Sequence, residues 1–207
     1  MTPDELKRLL EALLMASDRP LSVDALLRLL AGRDAAVARA DVQQALNALQ
    51  ADCAGRAVEL RQVASGYRYQ IRAEYGPWVA ALWEEKPQRY SRALLETLAL
   101  IAYRQPVTRA EIEDVRGVSV SSHIIKTLQE RGWIHVIGHK EVPGRPALYG
   151  TTREFLDYFN LRSLDELPAL RELADLDSVL PRLDLGDDAP GEGGEGDGTP
   201  AAPPATD

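Results

Sequence analysis

The sequence predicts a mainly α-helical protein with small β-hairpins (α+β class), built as two similar domains followed by a disordered acidic tail. Three observations lead to this prediction. Apolar residues recur at spacings of three and four over most of the chain, which is the period of one buried helical face. The same order of segments occurs twice, and the last 22 of the 207 residues contain no base and no aromatic residue. A chain of this length fits one or two small domains.

The repeat is visible in the residues themselves. Residues 9–13 (LLEAL) return 85 positions later as residues 94–98 (LLETL), and residues 19–22 return as residues 104–108, one residue longer. Two further segments with helical spacing follow in each copy, with their apolar faces at Val23, Leu26, Leu27, Leu30, Val42, Ala45, Leu46, Leu49 and Cys53 in the first and at Ile112, Val115, Val120, Ile124, Ile125 and Leu128 in the second. We therefore expect the backbones of the two copies to superpose.

Helix starts are marked by a hydroxyl residue followed three positions later by a glutamate. In this capping box the two side chains satisfy orphan backbone donors reciprocally. The pattern occurs at Thr2, Thr108, Thr151 and Ser163, with a near variant at Asp41. Ser119 is predicted to cap the third helix of the second copy.

The third helix of each copy is predicted to end at a glycine, Gly55 or Gly132, after which the apolar period shortens to about two. Alternating segments then flank a turn, as in a β-hairpin. The segments are residues 58–60 and 67–71 around Ser65-Gly66, and residues 133–138 and 147–150 around residues 142–146. Three helices followed by a hairpin, twice, predict two tandem winged-helix domains.

The predicted boundaries follow from this layout and from the composition. Residues 78–83 are expected to form a fourth helix that closes the first domain. Leucines at near-helical spacing between 170 and 183 predict a short helix, and the Gly/Pro-rich acidic end cannot bury enough apolar surface to fold. The expected units are residues 1–85, a linker at 86–90, residues 91–168, a possible helix at 169–185 and a disordered tail at 186–207.

The formal net charge of −8 is distributed unevenly. Residues 163–207 carry 12 acids and 2 bases, so the remainder of the chain is close to neutral. The single cysteine, Cys53, is expected to be buried and inert, and it allows no disulfide framework within the chain. The acidic start is unlike a signal peptide, and no apolar run approaches the roughly 20 residues of a membrane span. These features predict a soluble cytoplasmic protein without a membrane association.

Enzymatic, metal and cofactor sites are not predicted. His135 and His139 are four apart but fall in a predicted strand, where about 3.3 Å per residue separates them too far to share one ion. Residues 117–121 resemble a nucleophile elbow but lack its closing glycine and its strand-to-helix context. There is no Walker or dinucleotide fingerprint.

A DNA-binding transcriptional regulator is the alternative that helix-turn-helix architecture suggests. The second copy carries 12 bases and 8 acids over residues 86–162, and Lys126, Lys140 and Arg145 are placed where a winged helix contacts phosphate. An ordinary solvated face is favoured, because such footprints usually show clustered Arg and Lys. Protein binding is the other reading, since aromatic residues are enriched at interfaces. Candidates for an interface or for core packing are Trp78, Trp83, Tyr90, Trp133 and Tyr149.

The second copy resembles a known family, segregation and condensation protein B, an accessory subunit of the bacterial SMC–kleisin complex. The resemblance covers a series of blocks in order, at residues 91–106, 108–112, 116–118, 142–152, 155–159 and 163–168. The first copy matches more loosely, at residues 9–16 and in Gly66, Tyr67 and Arg68. The tail after residue 169 does not take part.

The resemblance implies a non-catalytic scaffold of two winged-helix domains. The first domain would form a homodimer, and the second would bind the kleisin, segregation and condensation protein A, and through it the SMC ATPase. The protein would then act at the nucleoid in chromosome condensation and segregation, with at most weak direct DNA binding. The candidate kleisin-binding residues are Tyr103, Arg104, Arg145 and Tyr149.

Overall fold

The computed structural model describes residues 1–32, 37–82 and 90–168. We call residues 1–82 the first half and residues 90–168 the second half. The first half contains α1 (Pro3–Ala16), α2 (Val23–Ala31), α3 (Arg39–Asp52), β1 (Val58–Val63), β2 (Gly66–Ile71), a 3₁₀ turn (Ala73–Tyr75) and α4 (Gly76–Ala81). The second half contains α5 (Arg92–Arg104), β3 (Val107–Thr108), α6 (Arg109–Arg116), α7 (Ser122–Glu130), β4 (Ile134–His139), β5 (Ala147–Thr151), α8 (Arg153–Tyr158) and a 3₁₀ turn (Leu164–Glu166). The prediction of a mainly helical protein with small antiparallel sheets is confirmed.

Each half has its own hydrophobic cluster. In the first half, leucines from α1, α2 and α3 form most of the cluster, and Leu10, Leu26 and Leu46 are fully buried. In the second half the cluster joins aliphatic residues of α5, α6 and α7 to Trp133 and Phe155. Cys53 is buried in the first cluster, as predicted.

Both predicted hairpins are present. β1 pairs with β2 antiparallel from Val58↔Ile71 to Val63↔Gly66, so the turn is Ala64-Ser65, one residue before the predicted position. β4 pairs with β5 antiparallel, with a bulge at residues 136–138. Gly55 and Gly132 follow α3 and α7 with φ of 71° and 68°, the left-handed conformation expected after a helix end.

The sequence did not reveal a third strand. β3 pairs with β5, giving a three-stranded sheet in the order β3-β5-β4. A single bridge between Leu21 and Tyr67 lies at the corresponding place in the first half. A strand of two residues is too short to show a period in sequence.

The capping predictions were right where the helix begins directly at the motif. Thr2 with Glu5 and Thr108 with Glu111 form complete capping boxes. Three other starts were wrong by one to three residues, because the pattern alone does not fix the register, whereas Ser163 does precede a 3₁₀ turn. The caps are Thr152 instead of Thr151 and Ser121 instead of Ser119, while Asp41 lies inside α3 and accepts the Ala38 N–H. At Ser163 no capping bond forms, and Glu166 accepts the Arg162 N–H at 2.8 Å.

Two predictions of burial were wrong, and the burial pattern of the repeat is offset by one position from the match of its residues. The sequence repeat, with its offset of 85 positions, aligns Leu9 with Leu94. Leu9 is 40% exposed, whereas Leu94 is buried. Burial instead relates Leu10 to Leu94, one position closer. Val115 is 44% exposed, because α6 has eight residues and buries only Ile112. α4 has no buried residue and does not close the first half, and its Trp78 is 78% exposed.

Several predictions fall on residues outside the described part of the chain. These are Trp83, most of the linker, the leucine-rich segment 169–185 and the tail 186–207. Within the described part, no helix is both long and apolar enough to cross a membrane.

Candidate functional site

A groove on the second half brings together two of the residues predicted to bind a partner. Tyr103 and Arg104 lie in the last turn of α5, and they line a groove of about 460 Å³ between α5 and α6. Its other lining residues are Glu96, Ala99, Leu100, Val115 and Arg116. Leu100 and Val115 give this groove an apolar floor.

The charged residues of this groove are largely held by one another. The Arg116 side chain is only 9% exposed, and its Nη2 donates to Glu96 at 3.1 Å. Glu96 also accepts from Arg92 Nε at 2.8 Å, and these two hydrogen bonds hold the pKa of Glu96 below its ordinary value. Arg104 is exposed at the end of the groove. The surface thus offers an apolar floor with a neutralised edge and a cation at one end.

A second groove lies on the other side of α5. It has a volume of about 300 Å³ and apolar walls, formed by Leu95, Leu98, Ala99, Phe155, Phe159, Leu161, Leu167 and Pro168. Ala99 lines both grooves. The Tyr103 hydroxyl donates to the Pro168 carbonyl at 2.6 Å and so ties the end of the described chain to α5. We refer to the two grooves together as the α5 surface.

The other two predicted residues do not line the α5 surface. Arg145 is exposed in the loop between β4 and β5, with φ of 38° beside Gly144 at 85°. Tyr149 lies on β5, pairs with Val107 and Val136, and packs half-buried against the second cluster. The structure therefore groups Tyr103 with Arg104 and leaves Arg145 and Tyr149 elsewhere.

Sequence reasoning missed the apolar residues of the α5 surface, chiefly Leu100, Val115 and Phe159. Val115 was assigned to the core because it is three residues from Ile112. The available signal was the short length of α6 between its cap Thr108 and Gly117. In this eight-residue helix only Ile112 is buried, and Val115 is left at the surface.

Two of the three cations proposed to contact phosphate are engaged in ion pairs. Lys126 lies 3.6 Å from Glu130, and Lys140 Nζ donates to Glu111 at 2.7 Å. The bond from Lys140, together with those from Thr108, lowers the pKa of Glu111 to about 2. These pairs reduce the positive charge that the face presents to a polyanion.

The first half exposes apolar side chains on two helices. Trp78 and Leu82, at α4 and its end, are 78% and 77% exposed, and Met15 at the end of α1 is 71% exposed. Trp133, by contrast, is buried in the second cluster, so of its two alternatives the core holds.

The two histidines four positions apart lie in a strand, as predicted. His135 and His139 both lie on β4, opposite Gly150 and Ala147. Over residues 1–32, 37–82 and 90–168, no three His, Cys, Asp or Glu side chains lie close enough together to hold a metal ion.

Comparisons with known proteins place the chain among chromosome-segregation proteins. The family model described as segregation and condensation complex subunit ScpB matches residues 8–170. The segregation and condensation protein B homolog of Coxiella burnetii is 53% identical over 173 residues, which are 84% of this chain and 82% of that protein. Segregation and condensation protein B of Syntrophotalea carbinolica is 44% identical over 88% of this chain and 92% of its own.

Solved structures also match. The crystal structure of ScpB from Mycobacterium tuberculosis shares 38% identity, with 78% of this chain and 98% of that chain covered and a TM-score of 0.35. A conserved hypothetical protein from Chlorobium tepidum matches with the same identity and TM-score over 77% of this chain.

Proposed function

Since the chain belongs to the family of segregation and condensation complex subunit ScpB, we propose that it is a non-catalytic scaffold subunit of a bacterial SMC–kleisin complex. In this role it takes part in chromosome condensation and segregation at the nucleoid. The family match spans residues 8–170 and so includes both halves. None of the relatives described above is named a transcriptional regulator, and the paired cations of the second half do not favour DNA binding.

We assign each half to one winged-helix domain, residues 1–85 and 91–168. The order of elements supports this assignment, because three helices precede an antiparallel hairpin in both halves. The strand β3 in the second half and the Leu21–Tyr67 bridge in the first add the short third strand at the same point of each sheet.

The observation that carries the proposed function is the α5 surface, which we assign to the kleisin. Two apolar grooves flanking one helix, with a combined lining of Leu95, Leu100, Val115 and Phe159 among others, fit an amphipathic segment of a protein partner. Burying such side chains against a partner removes apolar area from water and supplies the main driving force for association. Arg104 at the edge would fix the orientation of the bound segment.

A charge placed in the groove floor tests this assignment. In Leu100→Glu, kleisin binding by the full-length chain should weaken at least about tenfold, because a carboxylate would be buried against apolar groups. Isothermal titration with the cognate kleisin measures the affinity. Ile71→Glu is the matched control, since Ile71 is an exposed apolar residue at the end of β2. Equal affinities for the two variants would remove the α5 surface as the binding site.

The hairpin loop of the second half is a separate candidate contact. Arg145→Glu should weaken kleisin binding while the circular dichroism spectrum stays unchanged. Lys126→Glu makes the same charge change at a lysine already paired with Glu130, and serves as the control. Unaltered affinity in Arg145→Glu would restrict the site to the α5 surface.

The first half is the proposed homodimer domain. Trp78 and Leu82 are its most exposed large apolar side chains, and aromatic residues of this kind are common in interfaces. A variant with both residues changed to glutamate should run at the mass of one chain in light scattering, whereas Leu100→Glu should keep the mass of two. A dimeric mass for the first variant would place the dimer contact on another face.

A further inference from the structure

The two halves touch through the hairpin turn of the first and the end of α8 in the second. Residues 83–89, which connect the halves along the chain, lie outside the described residues. The contact joins segments about 90 positions apart in sequence, and it consists of main-chain and side-chain hydrogen bonds.

Two backbone N–H groups of the turn donate to the second half. Ala64 N donates to the Leu161 carbonyl at 2.9 Å, and Ser65 N donates to the Asp157 carboxylate at 3.0 Å. Turn N–H groups point outward and have no partner within their own hairpin, so this acceptor pair satisfies them. The Asp157 carboxylate makes one of the two bonds charge-assisted.

Arginines of β1 and β2 add three more bonds. Arg68 Nη2 donates both to the Asp157 carbonyl and to Asn160 Oδ1, each at 2.9 Å. Arg61 Nη2 donates to the Asn160 carbonyl at 3.4 Å. Asn160 has φ of 59°, a left-handed conformation that asparagine tolerates better than most residues, and it turns the chain after α8.

The turn is held in place before it meets the second half. Gly66 lies against the backbone of Leu21, where an added Cβ would come within 2.3 Å of the Leu21 carbonyl. Tyr67 is buried and its hydroxyl accepts from Gln43 Nε2 at 2.9 Å. Val63, just before the turn, is 2% exposed and belongs to neither hydrophobic cluster.

From these contacts we infer that the β1–β2 turn and the α8 end form a latch that holds the two halves of one chain in a single orientation. Gly66 and Tyr67 position the turn, and Arg68 donates hydrogen bonds to the second half. Asp157 and Asn160 are the receiving residues.

The consequence is a fixed distance between the surfaces of the two halves. Without the latch, only the connecting chain would limit their relative position, and domains joined by a linker alone move relative to each other by default. With it, any two surfaces on opposite halves are presented at one spacing. This inference does not depend on which partner either surface binds.

Distance measurements between spin labels test the latch in the full-length chain. Cys53→Ala removes the one native cysteine, and exposed Glu74 and Asp114 are changed to cysteine for labelling, one in each half. Labelled chains are diluted with unlabelled chains, so that only distances within one chain contribute. We expect one narrow distance distribution. A broad distribution in this parent chain would overturn the proposal, and so would evidence that the contact forms only between two copies.

Variants then identify the residues responsible. With Arg68→Ala and Asp157→Ala combined, the width of the distribution should grow about twofold or more, because few contacts would still join the halves. The single variant Asp157→Asn keeps an acceptor oxygen for the Ser65 N–H, so its distance distribution should stay narrow. Arg72→Ala is the control, because the partners of Arg72, namely the Arg56 and Cys53 carbonyls and the Glu59 carboxylate, all lie within the first half. Unchanged width in the double variant, with both halves still folded by circular dichroism, would contradict the assignment.

Discussion

The first half of the molecule fills its core with leucines, whereas the second half builds its core around a tryptophan. In the first half, α1, α2 and α3 meet through Leu10, Leu26 and Leu46. In the second, Trp133 lies 5.3 Å from the Tyr90 ring, 4.7 Å from Tyr158 and 5.5 Å from Phe159, measured between centroids. The Arg131 guanidinium stacks over the rings of Tyr90 and Trp133.

The difference shows that the same order of elements can place its apolar residues at different depths. The ring cluster continues from Trp133 through Phe159 into the wall of the α5 surface, so core and groove are one apolar unit in the second half. In the first half the most exposed apolar side chains, Trp78 and Leu82, lie on α4 and at its end, and α4 has no buried residue. The halves thus carry different surfaces on a shared layout.

The largest expected difference in the free energy of unfolding comes from replacing each of two tryptophans with alanine. Trp133→Ala should lower the free energy of unfolding by about 3–5 kcal/mol, because it empties the centre of the ring cluster. Trp78→Ala should change it by about 0.5 kcal/mol or less, since that side chain is 78% exposed. Urea denaturation followed by circular dichroism measures both. Similar losses would mean that the two halves do not differ in this way.

A neighbouring pair of leucines tests the core of the first half. Leu10→Ala should cost about 2–5 kcal/mol, because Leu10 is fully buried between helices. Leu9→Ala should cost far less, as Leu9 is 40% exposed. The same denaturation experiment applies, and a larger loss in Leu9→Ala would restore the 85-position match as the guide to burial.

The capping boxes offer a smaller contrast. Thr108→Ala should destabilise the protein by about 1–2 kcal/mol, because Thr108 is buried and bonded to both the backbone and the carboxylate of Glu111. Thr2→Ala should cost about 0.5 kcal/mol, since its box is exposed at the chain start. Thermal unfolding distinguishes them, and equal shifts in Tm would contradict the expected order.

The smallest effect concerns pH. Glu111 has its pKa lowered from 4.5 to about 2, so the stability that its ionised form contributes is complete above pH 4.5 and is lost as the pH falls toward 2. Glu111→Gln removes this contribution at all pH values. The gap in Tm between the parent and the variant should therefore shrink from pH 5 downward, and a constant gap would show that the bonds from Lys140 and Thr108 do not stabilise the carboxylate.

Periodicity and capping residues were sufficient to predict the helices, both hairpins and their order. These signals act within a few residues of the chain. The structure confirms the predicted caps at Thr2 and Thr108 and the glycines after helices at Gly55 and Gly132. The two-residue strand β3, the exposure of Val115 and the burial register of α1 could not be predicted, because each depends on packing between segments distant in sequence.

The candidate site was predictable only in part. Tyr103 and Arg104 were named from the family resemblance, and both line the groove between α5 and α6. Leu100 and Phe159 were not named, because whether an apolar side chain enters the core or lines a groove depends on how two helices meet. The contacts of Arg68 with Asp157 and Asn160 were likewise invisible, since no pattern in the sequence pairs Arg68 with these two residues.

The central claim, that the second half binds the kleisin through the α5 surface, is tested most directly by photo-crosslinking. A photoreactive amino acid replaces Leu100 in one full-length sample and Ile71 in another, and each is irradiated with the cognate kleisin. The account predicts a covalent adduct with the kleisin from position 100 and none from position 71. Adducts from position 71 alone would contradict it.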